Sequence, residues 1–403
     1  MKVRDPENAR QAQQGIWSGR AVGAQGAMQM AAWWACVRLI SETVATLPLG
    51  VFERMDGGGA QKAATHPLYA LLHDSPNADQ TAVEFWEGVL LALCTYGNAY
   101  ARIERIGERI VALTLLPSAP GLMTVTRDRN NALRYRYTFR GVSEDRGEAD
   151  IFHVRGFGDG GDLGLSPVSY ARQTLGLAEA IAASAGATFK NGMKASVFFT
   201  APPGVKMGPD QRADFRKTFI DPYVGAEATA SAGLLEHGFD VKTVSLPPKD
   251  AEMLLSWKFS VEEICRWLRV PPVLIGHSAD GQTMWGSGVE QIMLGWLTLG
   301  LRPYLTRIEQ AIKKRLIAPG ERTRFYAEFN VEGLLRADSA GRASMLGALG
   351  QNGYLTRNEG RAMDNRPPLP GGDVLTVQSN LVPLDQLGKS PPRAVQPAPG
   401  EPV

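Results

Sequence analysis

Few cysteines, no basic excess and no long apolar run are the first limits that this chain of 403 residues sets. Cys36, Cys94 and Cys265 are far apart, odd in number and each embedded in an apolar helical pattern. That excludes a disulfide framework and predicts buried, reduced thiols in a cytosolic setting. Lys plus Arg number 43 against 41 acidic residues. The chain therefore lacks the global basic field of tight nucleic-acid binders, although a protein that touches DNA only fleetingly needs none. The stretch MKVRDPENARQAQQGIWSG has no apolar h-region, so it does not read as a signal peptide. The most apolar run, WEGVLLALCTYGNAYA, is shorter than the roughly 20 residues of a membrane span and carries Glu87 and Asn98. A soluble protein of two or three domains is expected, with no membrane partner.

Catalytic signatures are also missing. There is no phosphate-binding G-x-x-x-x-G-K-[ST], no H-E-x-x-H, no paired C-x-x-C and no G-x-S-x-G elbow. The histidines His66, His73, His153, His237 and His277 have no metal-ligand spacing, and the adjacency of His277 to Ser278 does not make a nucleophile–base pair. Only GFGDGGDLGLSP, with its glycine-rich loop 156–164 before a helix, leaves a nucleotide-binding enzyme open as an alternative. It lacks the Lys and Ser/Thr that would hold phosphate and magnesium, so a flexible hinge is the competing reading. Asp159 and Asp162 within it read either as a metal pair or as a solvated loop. No cofactor, no metal and no enzyme activity are expected.

What is present is a succession of clear periods. Trp33, Val37, Ile40 and Val44 recur at helical spacing between Met28 and Leu47, and Thr81 with Glu84 makes a capping box for a helix running to Gly97. The pattern then alternates: Tyr100, Ile103, Ile106 and Ile110 lie around the turn Gly107-Glu108. A hairpin around Asn130-Asn131 puts Tyr135, Tyr137 and Phe139 on one side and Arg134, Arg136 and Arg140 on the other. Residues 28 to about 160 thus form a mixed α+β domain. Ser166-Pro167 caps a long Ala-rich helix to about Asn191, with few charges and hence mostly covered faces. A compact α/β unit of about 55 residues follows. A second long helix, from Asp250 to Val270, carries Leu254, Trp257, Val261, Ile264 and Leu268 at three–four spacing, a stripe for helix–helix packing. A glycine-punctuated loop leads to a third helix, from Val289 to Ile317, with Leu301, Leu305, Ile308 and Ile312 on one face and a bend expected at Pro303. A strand, two short helices and a Pro/Gly-rich tail complete the chain.

This order of parts resembles the portal protein family of tailed bacteriophages, the type found in long-tailed phages and phage-derived gene-transfer particles. The resemblance is carried by AWWACVRLISETVATLPLGVFE, YGNAYARIER, GLSPVSYA, VEEICRWLRVPPVLIG, VEQIMLGWLTLGLRPYLTRIEQAIKKRL and FNVEGLLRADSAGRASMLGALGQNGYLTRNEGRAMDNRPPLPGGD, together nearly all of 30–375. One departure is SGVEQ, where family members more often show an Asn before Glu-Gln. The resemblance implies an α+β portal architecture: a flexible arm 1–27, a wing 28–165, stem helices 166–193 and 249–271 around a clip 194–248, a tunnel loop 272–288, a long bent helix and wing strand 289–336, a crown 337–365 and a largely disordered tail 366–403. It further implies a homo-oligomeric ring, a dodecamer, at one capsid vertex of the virion, assembled in the bacterial host cytoplasm. The implied partners are double-stranded DNA passing without sequence specificity, the terminase large subunit, a head–tail adaptor and the major capsid protein. On that basis His277, Asp280, Gln282, Thr283, Met284 and Trp285 are the candidate channel-facing residues, and Leu254, Trp257, Val261, Ile264 and Leu268 the candidate stem-packing residues. The segment from His277 to Gly288 has no Lys or Arg, so a ring of such loops would meet DNA sterically, a duplex free to slide being poorly served by phosphate clamps. Trp285 packing against a neighbouring subunit is the alternative to DNA contact.

Overall fold

The computed structural model describes residues 22–190, 196–200, 208–219, 240–244, 250–277, 287–331, 339–363 and 366–376. They fall into two units that meet at Asn330–Val331 in the chain. In the first, helix α1 (Ala24–Gln29) leads into α2 (Ala31–Ala45). The arm expected to be loose through residue 27 is thus helical from Ala24, because Ala27 is fully buried and ties α1 to α2. Trp33, Val37, Ile40 and Val44 are all buried, as their helical period predicts. Each buried side chain of this kind contributes ~1.5–3 kcal/mol. Strand β1 (Leu49–Arg54) lies between β2 (Ala60–Lys62) and β11 (Phe325–Phe329), pairing antiparallel with each, so that Leu49 faces Phe329 across nearly 280 residues of chain.

Helix α3 (Pro67–His73) is followed by α4 (Ala82–Tyr96). The Thr81–Glu84 capping box is formed: the Thr81 amide donates to Glu84 Oε2 at 2.7 Å and the Glu84 amide to Thr81 Oγ1 at 3.3 Å. The α4 helix ends at Gly97 with φ +73, where a Cβ would lie 2.0 Å from the Leu165 carbonyl oxygen, so only glycine fits. Strand β3 (Asn98–Ile106) sits between β4 (Arg109–Leu116) and β8 (Ile151–Arg155), all antiparallel. The alternation read from the sequence fails at Ile106, which is 74% exposed. The register shifts between Glu104 and Arg105, and a bulge moves the next residues to the other face. The hairpin turns where expected: β5 (Met123–Arg127) pairs with β6 (Leu133–Phe139) across Asn131 at φ +62, and β7 (Val142–Gly147) adds a third strand. Tyr135 and Tyr137 are buried on one side, while Arg134 and Arg136 on the other reach Asp145.

The remaining elements of the first unit are helical, apart from one hairpin pair. Short α5 (Pro167–Tyr170) and α6 (Arg172–Lys190) replace the single helix expected from residue 166. The interruption at Ala171 (φ −77, ψ 1) is slight, since the Leu175 amide still donates to the Ala171 carbonyl at 2.9 Å. Strands β9 (Ser196–Thr200) and β10 (Asp240–Val244) pair antiparallel and flank α7 (Pro209–Phe219) in sequence. The strand expected over AGLLEHG lies outside the described residues. Helix α8 (Asp250–Leu268) packs on α6 and α2. Helix α9 (Ser287–Trp296), a π turn (Leu297–Leu301) and α10 (Arg302–Arg315) follow. Leu301, Leu305, Ile308 and Ile312 are all buried against the sheets. All three cysteines are buried and free, and Cys36 and Cys265 bring their sulfurs to 3.7 Å between α2 and α8. Burial pushes the Cys94 thiol up to about 12, so it is a packing residue and not a nucleophile.

The second unit holds α11 (Ser339–Gln351) and α12 (Arg357–Met363), the latter opened by a Thr356–Glu359 capping box. The tail expected to be unstructured from residue 366 is held over its first residues by Asn358. That side chain donates to the Leu369 carbonyl and to Asp373 at 2.9 and 2.8 Å and accepts from the Leu369 amide at 2.8 Å.

One buried polar chain locks the β4-β3-β8 and β5-β6-β7 sheets together. His153 Nε2 is 3.0 Å from Asn98 Oδ1 and its Nδ1 is 3.2 Å from the Tyr135 hydroxyl. Asn98 Oδ1 accepts from the Gly164 amide and its Nδ2 donates to the Gly164 carbonyl, each at 2.8 Å. A neutral imidazole protonated on Nε2 satisfies both contacts, donating to Asn98 and accepting from Tyr135. Burial, reinforced by Arg155 and Arg315, holds the His153 pKa well below the ordinary 6.5. Above about pH 6.5 the ring is neutral in folded and unfolded chains alike. Below it the unfolded chain takes up a proton that the fold refuses, so stability falls as pH falls, by up to ~1.4 kcal/mol per pH unit. Thermal melts between pH 7 and pH 5 should show that decline, and His153→Gln should flatten it; an unchanged slope would remove His153 as its source.

Candidate functional site: the α6–α8 helix pair and the approach of Arg269 to Gly300

Helices α6 and α8 run side by side, and Trp267 Nε1 donates to Thr174 Oγ1 at 3.1 Å between them. Ile264 and Leu268, at the lower end of the α8 stripe, are buried, and Val261 is half-buried. Trp257 is 47% exposed, as are Phe259 (53%) on the same helix and Leu177 (51%) on α6. The Leu254 side chain lies outside the described residues. The stripe read as one packing seam therefore divides: its lower turns are covered within the chain and Trp257 above them is not. Three large apolar side chains on this pair of helices, each about half in water, are left uncovered within the chain, Trp257 and Phe259 on different faces of α8; apolar side chains exposed in this way mark candidate interaction faces.

At the end of α8 the backbone makes an abrupt exit. Arg269 adopts φ +55, a region that L-residues avoid at a cost of about 1–2 kcal/mol. The Val270 amide donates back to the Cys265 carbonyl at 3.0 Å, closing the helix end. Pro271 and Pro272 then set a short 3₁₀ turn, Pro272–Ile275, which ends at Gly276 with φ +78. The R-V-P-P stretch is thus a rigid entry to the loop. His277, placed by sequence among the channel-facing residues, is turned back toward α8, with its Nε2 3.9 Å from Glu262 Oε1. Asp280, Gln282, Thr283, Met284 and Trp285 lie outside the described residues.

The return path is pinned to the same point. The bend expected at Pro303 is prepared one turn earlier. Pro303 has no amide to donate and its ring crowds the carbonyl four residues back. The helix answers by widening to a π turn, in which the Arg302 amide reaches Leu297, five residues back. At Gly300 a Cβ would lie 2.5 Å from Trp296 Cδ1 and 3.0 Å from the Arg269 carbonyl oxygen. The backbone leaving the loop therefore touches the backbone entering it, with buried Trp296 and Leu301 as the plug.

The glycine-rich loop 156–164 offers little to a phosphate. Its Gly156 amide donates to the Gly97 carbonyl at 2.8 Å, Gly161 to Asp159 Oδ1 at 2.9 Å and Gly164 to Asn98. Asp162 is paired with Arg127, whose guanidinium holds that carboxyl below the usual carboxylate range. These bonds make 156–164 a structural link between β8 and α5. Among the described residues no three His, Cys, Asp or Glu side chains gather as a metal would require, and no helix is long and apolar enough to cross a membrane.

Gly300→Ala should lower the melting stability by ~1–3 kcal/mol, since the added methyl has no room. Gly295→Ala, five residues earlier with open space at its Cβ, should be neutral or stabilising. Equal melting of the two variants would contradict the pinned base.

Comparison with known proteins agrees with this arrangement. Residues 31–365 match the family model described as "Phage portal protein". The chain is 40% identical over 362 residues to the portal protein of Enterobacteria phage HK97, covering 90% of this chain and 84% of that one. It is 31% identical over 390 residues to the probable portal protein of Streptomyces phage phiC31, covering 93% and 82%. Among solved structures, it shares a TM-score of 0.59 at 23% identity with a chain in the neck of a native gene transfer agent particle computed with twelvefold symmetry, over 92% of this chain and 96% of that one. The crystal structure of an HK97 family phage portal protein from Corynebacterium diphtheriae gives a TM-score of 0.58 at 16% identity, over 78% and 96%. A family-model match over residues 31–365 and relatives 40% and 31% identical over nine-tenths of the chain make this chain a member of the phage portal protein family.

Proposed function

We propose that copies of this chain close into a ring of twelve at one capsid vertex, through which double-stranded DNA enters and leaves the virion. The family match across 31–365 carries the reading. Its physical support is the pair of stem helices whose Trp257, Phe259 and Leu177 stand half in water, an apolar surface that a ring of identical neighbours would cover on every subunit at once. The portal family is a structural one, so ATP hydrolysis would belong to a separate terminase motor docking on the clip around β9, α7 and β10. A head–tail adaptor and the major capsid protein are the other proposed neighbours.

Within that ring the central loop points into the channel. Its segment from Gln282 to Trp285 has no cation, so it meets the duplex through shape and stacking surface and does not hold it by phosphate pairing. Packaging into particles that carry Trp285→Ala tests the loop: the length of packaged DNA should fall, while capsid assembly persists. Unchanged DNA length would reject contact by Trp285 and leave it as a packing residue between subunits.

A further inference from the structure

The near-neutral total charge conceals a local imbalance. Between α10 and β8 lies a cavity of about 620 Å³ walled by Arg155, Arg302, Arg307, Lys314 and Arg315, with neutral His153 at its floor. Among the described residues that line it there is no carboxylate. Arg315 is paired with Glu148 from outside the wall. Arg307 donates to the Gly156 carbonyl at 2.7 Å and Arg155 to the Gly161 carbonyl at 3.2 Å. Those bonds hold two guanidiniums in place without neutralising them, and each keeps further N–H donors free. Arg302 and Lys314 are exposed on the rim and make no hydrogen bond or ion pair through their side chains among the described residues. Glu309, on the same helix, is near enough for Arg302 to favour its ionisation, but it forms no bridge to it. The buried imidazole at the floor feels the same field, since Arg155 and Arg315 both oppose its protonation.

We propose that this cavity is a binding site for a phosphate-bearing polyanion, the phosphodiester backbone of nucleic acid. Five cations around one cavity with no carboxylate among its described lining residues are a preorganised anion site: their mutual repulsion, only partly offset by Glu148 on Arg315, disfavours the empty state and is relieved by a bound anion. Length decides between a single phosphate and a chain of them. Arg302 and Lys314 are twelve residues apart on α10, about 18 Å along the helix. That reaches several phosphates of one strand, which repeat about every 3.4 Å along a duplex. The choice of nucleic acid rests on the portal function proposed above; the anion chemistry does not. The site is separate from the central loop, which carries no cation, so a cationic face and an uncharged loop would divide holding from sliding.

The test is fluorescence anisotropy of a labelled duplex oligonucleotide with the full chain, titrated from about 50 to about 200 mM salt. The wild-type chain is compared with Arg302→Gln/Lys314→Gln and with the charge-keeping Arg302→Lys/Lys314→Arg. Both positions are exposed, so melting should not change. The neutral variant should bind the duplex about tenfold or more weakly, with the salt slope smaller by about 2, while the charge-keeping variant retains binding. Tripolyphosphate should compete only at concentrations far above those of the duplex. Equal affinity and slope in the wild-type and neutral chains would overturn the inference. So would tight tripolyphosphate binding that a duplex does not displace, which would assign the cavity to a small polyphosphate. Loss of oligomer in the neutral variant with DNA binding per chain intact would also overturn it, assigning the cations to carboxylates of a second copy. If wild-type rings form and only this binding comparison fails, the portal function stands; if no ring forms, the comparison is still read on the chain as it exists.

Discussion

Everything proposed for this protein depends on two helices that cannot cover themselves. Helices α6 and α8 are joined to each other by packing and by the Trp267–Thr174 hydrogen bond, and α8 to α2 at the end where Cys265, Ile264 and Leu268 are buried. Higher up, Trp257, Phe259 and Leu177 are left about half exposed. Hydrophobic burial is the dominant favourable term in association, so such faces call for neighbours. In a closed ring each copy supplies one covering face and receives another, and no copy is left with an open edge.

The sheets of the first unit supply rigidity around those helices. The strand β11 returns from the far end of the unit to pair with β1, fastening the helices between them into one body. The buried Tyr135–His153–Asn98–Gly164 chain joins the β4-β3-β8 and β5-β6-β7 sheets to the link that leads into α5 and α6. At the same end of the α6–α8 pair, where Trp267 meets Thr174, the chain before residue 278 and after residue 286 is held by one contact, Arg269 against Gly300.

Much of the fold was legible in the sequence where a single period or cap decides the structure. The buried stripe of α2, the capping boxes at Thr81 and Thr356, the Asn131 turn and the apolar face of α10 all follow from local rules. What was not legible depends on partners distant in the chain. The bulge that exposes Ile106 is a register shift between two strands, invisible in either alone. The π turn before Pro303 accommodates the proline, but the close approach of Gly300 within it to Arg269, thirty-one residues away, is invisible in the sequence. His277 reads as a loop residue, yet it packs back toward Glu262 because the Pro-Pro turn redirects the chain. The cationic cavity was hidden by an overall balance of 43 basic and 41 acidic residues; only the packing of β8 on α10 brings Arg155 beside the others. The channel-facing role proposed for the segment from Asp280 to Trp285 rests on the family resemblance alone, since these positions lie outside the described residues.

The most direct trial of the whole picture is the native mass of the purified chain, measured across a range of protein concentrations. A closed ring predicts one large species at a fixed multiple of 43.6 kDa, twelve copies in the assembled form, that resists dilution because opening it re-exposes the stem of every subunit. A 43.6 kDa monomer that persists at all concentrations, alone and with capsid protein present, would contradict it.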